Sequence, residues 1–184
     1  SLKELMGSEV SMPVFDAGGR TDNFICLSIL KYAMHRDPTT GELYRFCRRY
    51  EEILLNSMKK TEGRVLPGVQ NILEAFDRNP EYDQLLITGN SETGARHKLD
   101  WFRLSRFFDF NSSGFAENSF YRKEVARRAM ARAREKWGNR LERVFVIGAT
   151  EYDIMCGRDI GGYTIAVATG THSFEELNRY HPWW

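Results

Sequence analysis

Cysteine is scarce in these 184 residues: Cys26, Cys47 and Cys156 stand far apart and form no Cys-x-x-Cys pair. That spacing argues against a zinc cluster and a disulfide framework, and it fits a reducing compartment. No uninterrupted apolar run is long enough to cross a bilayer, and the chain does not open on a basic-then-apolar signal pattern. An excess of either charge is also lacking, because 26 Lys and Arg face 25 Asp and Glu for a formal net charge of +1. Bulk electrostatics therefore point to neither nucleic acid nor a membrane surface. There is no internal repeat and no low-complexity segment. The four histidines, His35, His97, His172 and His181, have no partner at a metal-ligand spacing and are assigned no role. What is present is ordinary: 42% hydrophobic and 28% charged residues, enough for one domain with a core that needs no cross-links. The expectation is a soluble cytoplasmic protein of open oligomeric state.

Two textures alternate along the chain. Ile25, Ile29 and Ala33 lie on one helical stripe after Thr21 and Asp22 as caps. Asp37-Pro38-Thr39-Thr40-Gly41 breaks that helix. Leu43, Phe46, Cys47, Tyr50 and Leu54 then mark a second amphipathic helix, with no strand between the two. After Leu66-Pro67-Gly68 the reading is a short helix (Val69 to Phe76) and a buried strand (Leu85 to Ile87) ending at Thr88-Gly89-Asn90. A helix carrying Ala95, Leu99 and Phe102 comes next, followed by a possible strand at Phe107 to Phe110. A long helix from about Phe120 to Trp137 leads to the clearest strand, Val144 to Ile147. Gly148 follows, then a helix from about Glu151, a last strand at Thr164 to Ala168, and a Ser173/Glu176 capping box. This order implies an α/β fold: a Rossmann-like, mostly parallel sheet with helices on both faces, plus a small helical cap.

Ligands of open parallel sheets bind beyond the carboxyl ends of the strands. Three segments deliver polar groups there: Thr88-Gly89-Asn90, the region of Arg122, and Gly148-Ala149-Thr150-Glu151-Tyr152-Asp153. A hydroxyl with free N–H groups at a helix start can hold phosphate, and a guanidinium matches phosphate oxygens. A carboxylate there can hold Mg²⁺. Each residue also has a bland reading. Thr88 can be a turn former, Arg122 a solvated helix residue, and Asp153 a first-turn acid favoured by the helix dipole.

The residues resemble a known family. LLITGNSETGARHKLDWFRL looks like the second motif of haloacid dehalogenase-like phosphatases, and VFVIGATEYDI looks like their fourth. LPGVQNILEAF resembles the segment that enters the core after the cap. GRTDNFICLSIL and HSFEEL resemble the first cap helix and the terminal helix of the phosphoglycolate phosphatase-like branch. The resemblance implies residues 1–21 as lead-in, with a possible surrogate strand at 9–16, a cap at 22–62, and a core at 63–184 lacking its first strand. It also implies a small phosphorylated metabolite as substrate, Mg²⁺ as cofactor, and an aspartyl-phosphate route. Thr88 matches the second-motif hydroxyl and Asp153 the later fourth-motif acid. Arg122 is the choice for the third-motif cation, with Lys123 as runner-up. Thr88, Gly89, Asn90 and Arg122 would hold phosphate.

Two departures stand against that chemistry. No DxDGT occurs in the sequence. In VFDAGGRTD, Asp16 could imitate the nucleophile, but Gly18 would stand where the acid–base Asp belongs and Arg20 where Thr belongs; Pro13 also disfavours a central strand. GGRTD aligns better with the start of the cap, which would put the first strand upstream. The second departure is Ala149, which stands where the resemblance places a metal-ligating Asp. The expectation is an impaired enzyme, with a non-catalytic phosphate-binding or interaction module as the alternative. Loss of the motif-one strand would leave the strands ending at Ile87 and Ile147 without a shared neighbour. The chain's end at Tyr180-His181-Pro182-Trp183-Trp184 suggests truncation, and its tandem tryptophans either pack or mark a contact. The stretch from Arg122 to Arg143 holds nine Arg or Lys, which reads as a solvated helix rather than a polyanion-binding face.

Overall fold

The computed structural model describes residues 14–184. α1 (Asp22–Met34) starts at Thr21, whose buried hydroxyl accepts from Phe24 N–H and donates to the Phe120 carbonyl, both at 3.1 Å. α2 (Thr40–Met58) opens on a Thr39/Glu42 capping box, to which Arg36 adds a 2.6 Å ion pair. Cys26, Ile29, Leu30 and Phe46 form the buried contact between these helices, surrounded by Phe15, Ile25, Met34, Leu43, Cys47 and Tyr50. The buried stripe of α1 is thus rotated from the expected Ile25, Ile29, Ala33. Apolar residues occupy nearly every side of its first two turns, so periodicity could not choose the face.

The chain continues through α3 (Val69–Asp77), α4 (Glu92–Trp101), a 3₁₀ turn (Ser105–Phe107) and α5 (Arg122–Trp137). A second 3₁₀ turn (Gly138–Arg140) leads to β1 (Phe145–Gly148), α6 (Glu151–Asp159), β2 (Tyr163–Ala166) and α7 (Phe174–Asn178). The Ser173/Glu176 capping box opens α7 as expected. β1 and β2 pair in parallel with Phe145 opposite Tyr163 and Gly148 opposite Ala166, joined across α6. Gly157 lets α6 approach this ladder, for a Cβ there would lie 2.3 Å from Thr164 Cγ2.

The sheet is smaller than the sequence suggests. Among the described residues the fold is mixed α/β, mostly helical, with a two-stranded parallel sheet. Residues 85–87 form a single parallel bridge, Ile87 to Gly114, rather than a full strand. One reason is that the ladder there is partly side chain: Leu86 N–H donates to Ser113 Oγ at 2.9 Å, while Gly114 N–H donates to Leu86 O at 2.7 Å. The expected strand at Phe107 to Phe110 is instead the end of the 3₁₀ turn and the loop after it. Phe107 and Phe110 are buried as core aromatics, which mimics strand composition without strand pairing.

Among the described residues, helices cover only one face of β1. Val146 is buried with Ala126 of α5 and Cys156 and Ile160 of α6, and Ile87 packs against the same cluster. On the opposite face Phe145 and Ile147 are 38% and 51% exposed. Of the proposed surrogate strand 9–16, residues 9–13 lie outside the described residues, and residues 14–16 carry no strand. Of the tandem tryptophans, the Trp183 ring packs, 5.3 Å from that of Tyr163 and 5.8 Å from that of Phe145, while Trp184 is exposed. Trp184 N–H donates to Thr164 O, and Trp184 O accepts from Ala166 N–H, extending the β2 edge by one residue.

Candidate functional site

The residues singled out in the sequence fall into three neighbouring groups. The first is the turn after Ile87. Thr88 Oγ1 accepts from Asn90 N–H at 3.2 Å, closing a short side-chain turn that positions the Ser91 cap of α4. The Asn90 amide donates to both oxygens of Asp22 at 3.0 and 3.1 Å, and Ser91 N–H donates to Asp22 Oδ2 at 3.2 Å. Asp22 is therefore a structural member of this turn, though it was read only as a helix cap. Burial holds its carboxyl above the usual range, opposed by Lys98, Asn90 and Ser91. Gly89 is required by close approach, since a Cβ there would meet the Arg20 carbonyl oxygen at 2.1 Å.

The second group joins Arg122 to Asp153. The two form an ion pair, their side chains 13% and 15% exposed. Asp153 Oδ2 also accepts from Ala149 N–H and Thr150 N–H, each at 3.1 Å, and from the Thr150 hydroxyl at 2.8 Å. Gly148 has to be glycine for this fold-back, because a Cβ would sit 2.3 Å from Asp153 Cγ. Arg122 Nε is buried and lacks a hydrogen-bond partner. Cys156, next to this pair, is a buried thiol pushed up to about 11 by desolvation, with Arg122 pulling the other way. Such a thiol is inert rather than nucleophilic at neutral pH.

The third group contains Asp16. Residues 16–20 form a turn leading into α1, with Gly18 N–H donating to Asp16 Oδ1 at 2.8 Å and Arg20 N–H to Ala17 O at 3.2 Å. Gly19 has φ +66°, and a Cβ on it would lie 2.5 Å from the Tyr152 ring and 2.8 Å from Thr150 Oγ1. The turn before α1 thus rests against the start of α6. Arg20 is clasped between the rings of Phe24 and Tyr152, 4.6 Å from each centroid. Asp16 itself is exposed and shares a cluster with Glu151 and His172.

The structure therefore brings Arg122 and Asp153 into contact, engages Thr88 and Asn90 within their own turn, and places Asp16 beside Glu151. Sequence reasoning reads Asp22 only as a helix cap, gives Glu151 no role of its own within its segment, and assigns none to His172. Only a tertiary contact reveals them, since their partners lie in distant segments.

Residues 123–183 match the HAD-hydrolase-like family. A solved structure of a candidate phosphatase from Clostridium difficile is similar at TM-score 0.58 and 22% identity, covering 83% of this chain and 68% of the other. A haloacid dehalogenase-like family hydrolase from Streptococcus pneumoniae is similar at TM-score 0.59 and 17% identity, covering 92% and 76%. The fold is that of the haloacid dehalogenase-like hydrolases. No curated protein is significantly similar in sequence. Among the described residues, no helix of this fold is long and apolar enough to cross a membrane.

Members of the haloacid dehalogenase-like family typically use Mg²⁺, and Ala149 and Asp153 do not fit that ion. Ala149 offers no side-chain oxygen, and the Asp153 carboxylate is already held by Arg122 and three hydrogen-bond donors. A metal at Asp153 would have to displace those contacts.

Proposed function

We propose that this chain is a phosphatase-type haloacid dehalogenase-like protein, of the phosphoglycolate phosphatase-like branch, that does not hydrolyse phosphate monoesters. The observation that carries this reading is the saturation of Asp153. Two backbone N–H groups, one hydroxyl and one guanidinium converge on it. An acid bound so fully is a folding element, and Ala149 beside it supplies no replacement oxygen. The sequence also contains no DxDGT segment from which an attacking Asp could come. Asp16 is a poor substitute nucleophile, because it sits in an exposed turn and not at a strand end. Loss of a nucleophile or its metal lowers rates by many orders of magnitude.

The test is direct. Pure protein with Mg²⁺ and p-nitrophenyl phosphate is expected to release no phosphate above the uncatalysed rate. Clear turnover that Thr88→Val abolishes would overturn the proposal. Recovery of activity after Ala149→Asp together with an added upstream DxDGT strand would place the chain in an enzyme lineage.

A second reading is favoured by one specific feature, the buried Arg122 Nε without a partner. A small phosphorylated metabolite could use that donor, with the Thr88 hydroxyl and the Gly89-Asn90 backbone, for binding without turnover. Titration with orthovanadate or phosphate separates the readings. Saturable binding lost in Arg122→Leu and Thr88→Val supports a phosphate-binding module.

A further inference from the structure

The turn that begins the cap and the loop that follows β2 meet above the start of α6. There Asp16, Glu151 and His172 each offer one ligand atom, and these atoms all lie within 4.8 Å of one another. The three come from separate segments and none belongs to the fourth-motif pair of Ala149 and Asp153. We propose that Asp16, Glu151 and His172 form a binding site for one divalent transition ion of the Zn²⁺ class, clamping the cap turn onto the core.

Four observations carry the assignment. The donor set is one imidazole and two carboxylates, which suits a borderline ion such as Zn²⁺ better than Mg²⁺. Glu151 Oε2 is a buried oxygen with no hydrogen-bond partner of good geometry, although His172 Nε2 lies 2.9 Å away. An orphaned carboxylate oxygen facing a ring nitrogen suits a shared cation. The other ring nitrogen, His172 Nδ1, sits 3.3 Å from Thr171 Oγ1, an outer contact that orients the imidazole and leaves Nε2 pointing at Glu151. Asp16 has one oxygen tied to Gly18 N–H, and its second oxygen remains available.

The geometry needs only a small contraction. Donors about 2.0–2.2 Å from one ion stand roughly 3–3.5 Å apart in a tetrahedron. The Glu151–His172 pair is already closer than that. Asp16, in an exposed turn, is the ligand free to move inward. Three protein ligands leave further positions for water, so the ion would lie accessible beyond the carboxyl ends of the strands. The rival explanation is a plain ion pair between Glu151 and a protonated His172, which needs no Asp16. The proposal stands independently of whether the chain binds or hydrolyses phosphate.

The experiment is equilibrium dialysis of the full chain against Zn²⁺ with metal analysis, repeated with Co²⁺ to read visible absorption bands. The expected result is one ion per chain, with Mg²⁺ in large excess failing to compete. Asp16→Asn should weaken Zn²⁺ binding by at least about tenfold, and His172→Ala should remove the Co²⁺ bands. His97→Ala serves as a control and should bind like the parent. Asp16→Asn changes an exposed residue, so its fold can be checked by circular dichroism and its loss of metal read without ambiguity. Absence of binding, equal affinity for Mg²⁺, or binding that survives both Asp16→Asn and His172→Ala would overturn the proposal.

Discussion

Two junctions at the carboxyl ends of the strands invite comparison. At residues 87–92 the chain leaves the Ile87 bridge, turns at Thr88-Gly89-Asn90 and starts α4 behind Ser91. At residues 147–151 it leaves β1 and starts α6 behind Thr150. Each helix start presents free N–H groups and the positive end of a helix dipole, the usual place for an anion. In both cases a carboxylate of the protein itself takes that place. At α4 it is Asp22, delivered from the first turn of α1; at α6 it is Asp153, delivered from the helix's own first turn. The same electrostatic demand is met once by a long-range contact and once locally. The first ties α1 to the start of α4, and the second ties α6 to Arg122 of α5.

Removing each carboxylate tests that parallel. Asp153→Ala should have the largest effect, a loss of about 3–5 kcal/mol in urea unfolding, because it strands a largely buried guanidinium. Adding Arg122→Met should return part of the loss, since the cation left without a partner is then gone. Asp22→Ala leaves the Asn90 amide and Ser91 N–H without their acceptor and removes the negative charge that favours the Lys98 ammonium, and should cost about 2–3 kcal/mol. Amide exchange should show the two losses spreading differently, with α1 deprotected in Asp22→Ala and spared in Asp153→Ala. A loss at Asp22 below about 1 kcal/mol would break the comparison, leaving only the local junction as a stabilising device.

What could be read from the sequence follows the same division. The Ser173/Glu176 capping box, the Thr21 cap and the α2 stripe containing Phe46 and Leu54 rest on neighbours within four residues, and all appear as expected. β1 and β2 were legible because short apolar runs bounded by glycine leave few alternatives. The strand expected at Phe107 to Phe110 failed because buried aromatics serve a loop core as well as a sheet. The one expected at Leu85 to Ile87 shrank because a strand needs a partner, and its ladder is partly a Ser113 hydroxyl. Within the candidate site, the acid in the first turn of α6 could be seen as a cap. That the same acid holds Arg122 could not, because the two residues are brought together only by the packing of α5 on α6.

Gly157 offers a sharper test of how tightly the α6 side of this arrangement is built. Gly157→Ala would place a methyl 2.3 Å from Thr164 Cγ2 and 3.2 Å from Val146 Cβ. Overpacking of that kind should cost about 1–3 kcal/mol, seen as a lower urea midpoint at unchanged slope. The equivalent insertion at Gly138, which has nothing within 4 Å, meets no steric opposition from its neighbours, so any loss there reflects its φ of +52° alone.

The smallest effect is a pH dependence of opposite sign in two carboxylates of the first turns of α1 and α2, Asp22 and Glu42. Glu42 is held down at about 2 by hydrogen bonds from Arg36 and Thr39. Its folded form gives up the proton more readily than the unfolded chain does. The stabilisation it contributes is present above its ordinary value of 4.5 and disappears as pH falls toward about 2. Burial raises Asp22 instead, so in the window above its ordinary value of 3.8 the folded state holds the proton more tightly, and stability from this group declines as pH rises. Glu42→Gln should therefore reduce the acid sensitivity of unfolding, while Asp22→Asn should increase it. Thermal midpoints measured from about pH 2 to 6 would check the two signs. An unchanged slope in Asp22→Asn would show that Asp22 ionises as an exposed acid does, and a slope shifted the same way as in Glu42→Gln would show that Asn90, Ser91 and Lys98 outweigh its burial.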